Sequence, residues 1–499
     1  MGAVTRTRIR RNAYFDSLVL MRAAAIVCSR PEAVNASLMM GTAANKEILR
    51  EGGLLDDGGG AAGPNDLIIA VRAEASALEP LLDDAELALN AEPEPAADMS
   101  TAHTARTLAQ AGGANLALIS IPGIYAAAEA LKALKLGMHV FIFSDNVSIE
   151  DELMLKEEAQ RRDLLVMGPD CGTSIINGLP LGFANVVRRG DVGLIGASGT
   201  GSQAIACLLD RGGAGLSQLI GVGSRDLSER VGAQSMLFAL EALDDDPDTR
   251  VIVLVSKPPA PAIADKVISR AARARKPVVV NFLGAHLVSR APNVHVASTL
   301  EEAATLATAL SLGRASPAVA PLPSAGGLAE RLSFGRSAIR AIFSGGAFAS
   351  EAESILGEVA TSVRRWTMGR TIDFPAGHMV LDLGADEFTV GRPHPMIDPT
   401  LRIDFLRAAA SAPDTAIVLF DVVLGTGSAA DPAGVLAPTI RAASTGPLFV
   451  AFVCGTPADP QNLTAQEGKL TDAGVIIASS STAAARLAAG VLEAARSVA

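Results

Sequence analysis

A doubly wound α/β protein with parallel sheets, one module of which is used twice, is the fold class this sequence predicts, and three observations predict it. Apolar residues make up 49% of the 499-residue chain but aromatics only 4%. Its interiors must therefore be filled by Ala, Val, Leu and Ile, the filling of buried parallel strands under helices. Short β-branched runs alternate with helical patterns along most of the length. The same order of pieces then occurs twice, with matching interruptions at Asp246-Pro247-Asp248-Thr249 and Ala412-Pro413-Asp414-Thr415.

A chain this long exceeds one hydrophobic core, so several domains are expected. Residues 1–100 read as a small α/β domain with strands at Ala36–Met40 and Asp66–Val71 and a flexible loop at Asp56–Pro64. Residues 101–190 run strand Leu116–Ile121, helix Tyr125–Leu136, strand Val140–Phe143, helix Ile149–Arg162 and strand Leu164–Met167. That βαβαβ rhythm implies a Rossmann-like parallel sheet. Residues 191–314 open with strand Val192–Gly196, loop Ala197–Ser202 (ASGTGS) and helix Gln203–Leu209, followed by strands at Leu219–Gly223, Val251–Val255 and within Lys276–Gly284. A Pro-, Ala- and Ser-rich linker, residues 315–334, leads to residues 335–499, where strand Ile339–Phe343, loop Ser344–Ala347 (SGGA) and a helix precede Met379–Gly384, Ala416–Phe420 and Gly446–Gly455. Both halves read as flavodoxin-like modules.

Several function classes are excluded. The formal charge is −11, and only Arg6, Arg8, Arg10 and Arg11 cluster, so no nucleic-acid footprint is expected. No apolar run approaches the ~20 residues of a membrane span and no signal-peptide pattern opens the chain, which predicts a cytoplasmic protein. Cys28, Cys171, Cys207 and Cys454 lack zinc or disulfide spacing and are expected as buried, reduced thiols. His103, His139, His286, His295, His378 and His394 form no ligand pattern, so no metal site is expected.

The strongest site signal is Gly196-Ala-Ser-Gly-Thr-Gly201 between a buried strand and a helix. Glycines admit close backbone approach, and unpaired amides with the helix dipole favour an anion. Ser198, Gly199, Thr200, Gly201 and Ser202 are thus phosphate-binding candidates; the alternative is a tight strand–helix turn. The segment is neither a Walker loop nor a dinucleotide fingerprint. Ser344, Gly345 and Gly346 hold the equivalent place in the second module, so two helix starts are expected to aim at one phosphoryl group. In Gly391-Arg-Pro-His-Pro-Met-Ile-Asp398 two prolines stiffen a loop carrying Arg392, His394 and Asp398; it reads either as a preorganised site or as a capped loop with a surface ion pair. Asp421 falls at the end of a parallel strand, as a ligand group or a structural cap. Asp170 and Cys171 are candidate pocket walls between the Rossmann-like unit and the first flavodoxin-like module.

Residues from about 101 to 311 resemble the α subunit of succinyl-CoA synthetase, through Val147–Lys156 (VSIEDELMLK), Gly168–Gly178 (GPDCGTSIING), Asp191–Thr200 (DVGLIGASGT) and Asp244–Ser256; residues 335–499 are similar to the ligase module of its partner subunit. The resemblance implies that Ser198, Gly199 and Thr200 hold a phosphate, and that the Rossmann unit is of the CoA-binding type. That family's phosphorylated histidine lies in a Gly-His-Ala-Gly-Ala segment, whereas here Gly284-Ala285-His286-Leu287 follows the corresponding strand. Its orienting glutamate is replaced by Ser256-Lys257-Pro258-Pro259. A closer resemblance, over nearly the whole chain, is to the FdrA family, carried by Met39–Thr42, Phe143–Asn146, Gly168–Ser174, Ser256–Pro259 and Gly391–Thr400 (GRPHPMIDPT). That family includes a component of oxamate carbamoyltransferase, which with companion subunits converts oxalurate and phosphate to oxamate and carbamoyl phosphate. The resemblance implies a carbamoyltransferase subunit acting on small carbamoyl and phosphate substrates, with Lys257, Arg392, His394 and Asp421 as catalytic candidates. Carbamoyl transfer needs no phosphoenzyme; the residues indicate no cofactor, and CoA enters by resemblance alone. An ADP-forming acyl-CoA synthetase and a non-catalytic assembly subunit are the alternatives.

Overall fold

The structure is a computed structural model that describes residues 3–13, 15, 17–28, 30–90, 107–285, 287–314, 324–332, 335–360, 362–366, 372, 374–389, 393–443 and 446–498. The Arg392, His103 and His286 expectations lie outside the described residues, as does most of the linker. The chain divides into two units, with the boundary before Thr107.

In the first unit Leu67–Ala73 is the central strand, flanked antiparallel by Val4–Arg10 and Ala33–Met40. Its residues Leu67 to Val71 are fully buried because both faces are covered. Helices Ser17–Cys28 and Leu78–Asn90 pack on one side, and Leu49, Leu54 and Ala62 pack on the other. Asp56–Pro64 contains a helical turn, Asp57–Gly60, rather than a flexible loop, because Asp56 accepts from the Gly59 amide at 2.9 Å and from Thr7.

The second unit opens with parallel strands Leu116–Ile119, His139–Ile142 and Val166–Met167, connected by helices Gly123–Lys135 and Ile149–Arg161. A hairpin of Thr173–Ile176 and Leu179–Gly182 follows, turned at Asn177 (φ 51°) and Gly178 (φ 82°). It is antiparallel and joins the edge of the next sheet through Ile175.

That sheet has the spatial order Val294–Val296, Val278–Phe282, Val251–Ser256, Arg189–Gly196, Leu216–Gly221, then the hairpin. The next sheet runs Val363–Arg365, His378–Asp382, Ala338–Phe343, Thr415–Val423, Leu448–Cys454, Ile476–Ala478. In the first of these sheets the opening module strand, Arg189–Gly196, lies between the second and the third, a 2-1-3-4-5 order. In the other, Ala338–Phe343 lies between the third module strand, His378–Asp382, and the fourth, Thr415–Val423, with Val363–Arg365 added at the edge, and all module strands are parallel. The first order is that of a flavodoxin-like fold and the second is the same order with one extra edge strand, so a topological switch point falls beside Gly196 in one module and beside Phe343 in the other.

The two modules share a core. Ile205 and Leu209 of helix Gly199–Gly212, Phe348 and Leu356 of helix Gly346–Val359, and Ala484 and Val491 of helix Ser481–Val498 belong to one buried cluster. A buried polar network also joins them. The Asn185 side chain donates to Leu424 O and Asp459 Oδ2, each at 2.9 Å, and accepts from Gln203. The helix expected from Gln203 starts at Gly199, so Gly199 to Ser202 form its first turn rather than a loop.

Candidate functional site

Both switch points open onto the same place, because the Gly199 and Gly346 helices meet start to start. A Cβ built on Gly201 would lie 3.2 Å from the Cβ of Ala347, and one built on Gly345 would strike the Thr200 side chain. Only glycine permits this approach. Ser198 caps the first helix, its Oγ accepting from the Gly201 amide, and Ser202 Oγ donates back to Ser198 O at 2.7 Å. Gly345 has no side chain with which to cap the second helix, and among the described residues no side chain accepts from the amides of Gly346, Ala347 or Phe348. The dipole of that 14-residue helix therefore emerges uncapped.

The phosphate-binding candidates separate into two groups. Gly199 and Gly346 are partly exposed at the mouth, with Thr173 Oγ1 3.1 Å from the Cβ position of Gly199. Ser202, Gly201, Gly345 and Thr200 are buried in the joint between the helices, and Ser344 is fully buried beneath it. The Ser344 amide donates to Asp421 Oδ1 at 2.9 Å and its hydroxyl contacts Oδ2. Asp421 in turn meets Arg402 Nη2 at 3.2 Å, and neither side chain reaches solvent beyond a trace. Asp421 thus braces the Ser344 turn.

Lys257 follows strand Val251–Ser256 at the first switch point. Its Nζ stands where a Cβ on Gly346 would go, and Asp382 Oδ2 lies 2.7 Å from that same position. No hydrogen bond or ion pair reaches Nζ among the described residues. Asp382 ends strand His378–Asp382; burial pushes its carboxyl up and the nearby Lys257 charge pulls it down. Its other oxygen accepts from the Gly384 amide at 3.1 Å. His394 approaches the neighbouring Gly384 turn from the other side. Its Nε2 lies 2.8 Å, and Asp382 Oδ1 3.3 Å, from the Cβ position of Gly384.

Asp170 faces Lys257, Asp145 and Asp386; burial, reinforced by the two acidic neighbours, raises its pKa to about 6 against hydrogen bonding from Ser224, whose Oγ donates at 2.6 Å. Its φ of 54° places it in the left-handed region that Asp tolerates better than most residues. Cys171 lies beneath, 2% exposed, and burial pushes its thiol up to about 12, which removes it as a thiolate nucleophile. Of the other thiols, Cys207 and Cys454 are buried with sulfurs 4.0 Å apart, whereas Cys28 is exposed, contrary to expectation.

Sequence reasoning missed Asp382, Thr173 and Arg402. For Asp382 the signal was present, since an acidic residue at the carboxyl end of a parallel strand occupies the ligand-facing edge. The Rossmann unit, by contrast, has its three described strands in sequential order, with no reversal to form a nucleotide crevice within it.

Comparison with known proteins places the chain. An Escherichia coli K12 protein, YahF, is 42% identical over 95% of this chain and 96% of its own length. The chain belongs to the YahF family. The profile described as "CoA-ligase" matches residues 342–491, that described as "CoA binding domain" matches 187–284, and that described as "AllF, heavy metal-associated domain" matches 3–106. This chain is thus succinyl-CoA synthetase-like, with matches to CoA-binding and CoA-ligase domains behind an AllF-type N-terminal domain. The CoA-binding match falls on the first flavodoxin-like module rather than on residues 101–190. An Archaeoglobus fulgidus succinate–CoA ligase [ADP-forming] subunit alpha 2 is 27% identical over 29% of this chain, and the Aquifex aeolicus subunit alpha 25% over 31%; each match spans about half of that relative, 50% and 52%. Among solved structures, PH0766 from Pyrococcus horikoshii OT3 aligns over 80% of this chain and 88% of its own at 16% identity and a TM-score of 0.36. Residues 3–106 contain one cysteine, Cys28, and one histidine, His103. They contain no pair of cysteines, and no group of three His, Cys, Asp or Glu that could hold a metal ion occurs among the described residues. No helix among the described residues is long and apolar enough to cross a membrane.

Proposed function

We propose that this chain is a phosphate-using subunit of the succinyl-CoA synthetase type, in which orthophosphate sits at the mouth of the paired helix starts and exchanges with an acyl-type carbonyl. The observation that carries this reading is the uncapped start of the Gly346 helix, abutting the Gly199 helix, with Lys257 Nζ unpartnered beside it. Two sets of amides and one ammonium group favour a compact anion. In the acid–thiol ligase reading, supported by the domain matches, a phosphate oxygen attacks a thioester carbonyl carbon. The sulfur leaves with the bonding pair and takes a proton, giving acyl phosphate and free thiol. In this reading, formation of ATP from that acyl phosphate and ADP falls to a companion chain of the nucleotide-grasp type.

One observation favours carbamoyl transfer as a second reading. The residue beside the joint is a lysine, suited to a substrate carboxylate such as that of oxalurate, and the Gly-His-Ala-Gly-Ala segment is lacking. Here phosphate attacks the carbamoyl carbon, and the amide nitrogen of oxamate leaves and takes the proton. Both readings share the anion seat. Orthophosphate binding to the full chain, followed by calorimetry, is expected to weaken about tenfold to a hundredfold in Lys257→Met and in Gly199→Val. Unchanged affinity in Gly199→Val removes the seat. With companion subunits present, phosphate-dependent consumption of acyl-CoA against that of oxalurate separates the two reactions.

A further inference from the structure

Among the described residues His394 is the one histidine that reaches the mouth, and its surroundings fix which nitrogen does what. The Met396 amide donates to Nδ1 at 3.3 Å, so in the neutral ring the proton resides on Nε2. Burial, with the Arg402 charge behind it, pulls the imidazole down to about 4, and it stays uncharged at neutral pH. The Phe183 ring, 5.4 Å away between centroids, backs the imidazole. Nε2 shares the space above Gly384 with Ser344 O and Asp382 Oδ1, which lie 2.6 and 3.3 Å from the Cβ position there, and no hydrogen bond reaches Nε2 among the described residues. The charged groups around it are therefore Asp382 in front and Arg402 behind.

Resting on the phosphate reading above, we propose that His394 offers Nε2–H as a fixed, uncharged hydrogen-bond donor to an oxygen of the group bound at the Gly346 helix start, and that it does not carry the phosphoryl group. A nucleophilic Nε2 needs its lone pair free and the proton on Nδ1, which would set an N–H of the ring against the Met396 N–H. The transfer is then direct: the phosphate oxygen bonds to the carbonyl carbon, the leaving group departs with its electron pair and a proton, and nothing remains attached to the protein.

Sulfate, whose charge is constant over the range used, is the probe. For the full chain, the wild-type affinity is expected to exceed that of His394→Ala about tenfold to a hundredfold. That ratio is expected to stay flat from about pH 5.5 to 8, since a neutral donor does not titrate there. His394→Gln, whose amide nitrogen reaches the Nε2 position, is expected to recover most of the loss. Equal affinity in His394→Ala, or a ratio that climbs as pH falls below about 6.5, overturns the donor role. Incubation with 32P-labelled acetyl phosphate is expected to leave no acid-labile, base-stable label; a label on wild type that disappears in His394→Gln overturns the second half. If wild type binds no sulfate, the phosphate reading fails and this inference with it. If Gly199→Val weakens binding while His394→Ala does not, only the inference fails.

Discussion

Substituting Gly345 by alanine tests the joint between the two modules directly. The new Cβ would stand 2.8 Å from the Cβ of Thr200 and nearer still to Thr200 Cγ2 and Oγ1. Thr200 is 5% exposed in the first turn of its helix, and its β-branched side chain is stiff, so it cannot swing clear. The φ of Gly345 is −163°, extended backbone open to alanine, so the cost is steric alone apart from a small loss of capping preference. Overpacking of this kind costs about 1–3 kcal/mol. Thr200→Ala removes the two nearest atoms but leaves the Cβ, and the double variant is expected to recover part of the loss, with a coupling of about 1 kcal/mol or more. Urea unfolding followed through Trp366, the single tryptophan and a residue of the second module, reads the effect. Gly357→Ala, with nothing within 4 Å of its Cβ, is the control in the same helix. A Gly345→Ala midpoint equal to that of the control, or strict additivity with Thr200→Ala, would refute the head-on arrangement.

Three further outcomes follow from the same site. Asp421→Asn leaves the 2%-exposed Arg402 without its countercharge and is expected to cost about 3–5 kcal/mol, most of it regained in the double variant with Arg402→Met; a near-neutral single variant would contradict the brace. Native protein is expected to take up one equivalent of a thiol reagent quickly, at Cys28, with Cys171, Cys207 and Cys454 reacting only after denaturation, as mass spectrometry of the labelled peptides would show. Asp170 has its carboxyl raised from 3.8 to about 6, so the folded state binds the extra proton between those values and loses stability as pH rises through them. Because Asp170 is exposed to solvent, which screens most of the shift, Asp170→Asn is expected to stabilise by about 1 kcal/mol or less at pH 7 and by almost nothing near pH 3.5, and a pH-independent difference in urea midpoints would count against the shift.

The duplicated modules were legible because their signal is periodic and local. Each strand is a short apolar run, and each repeats at the same place relative to a Pro-Asp-Thr stop. The hairpin at Thr173–Gly182 escaped notice although Asn177-Gly178 is a strong turn signal, since the apolar runs beside it are short. The helix start at Gly199 was placed too late for a different reason. Gly, Thr, Gly and Ser are weak helix formers, and what winds them is Ser198 below and the facing helix opposite. The candidate site was legible at Gly199, Gly346 and Lys257, which belong to recognisable strand-to-helix turns. Asp382 went unread although it ends a parallel strand, because the apolar run before it reads as a plain strand end. What gives it meaning is tertiary: its two oxygens lie beside the Gly346 and Gly384 positions that Lys257 Nζ and His394 Nε2 also crowd.

That convergence also explains why a lysine is tolerated at a helix start. A cation there opposes the helix dipole, at a cost of about 0.3–1 kcal/mol for an exposed group. Asp382 offsets it from the strand beneath, where the Lys257 charge pulls its carboxyl down against burial. In the phosphate reading proposed above, an arriving anion takes over the compensation of Lys257 and of the helix starts together. A lysine in the place of the orienting glutamate, with no Gly-His-Ala-Gly-Ala segment to bring a histidine, is then suited to a diffusible phosphate, and the neutral His394 would add a hydrogen bond without adding charge.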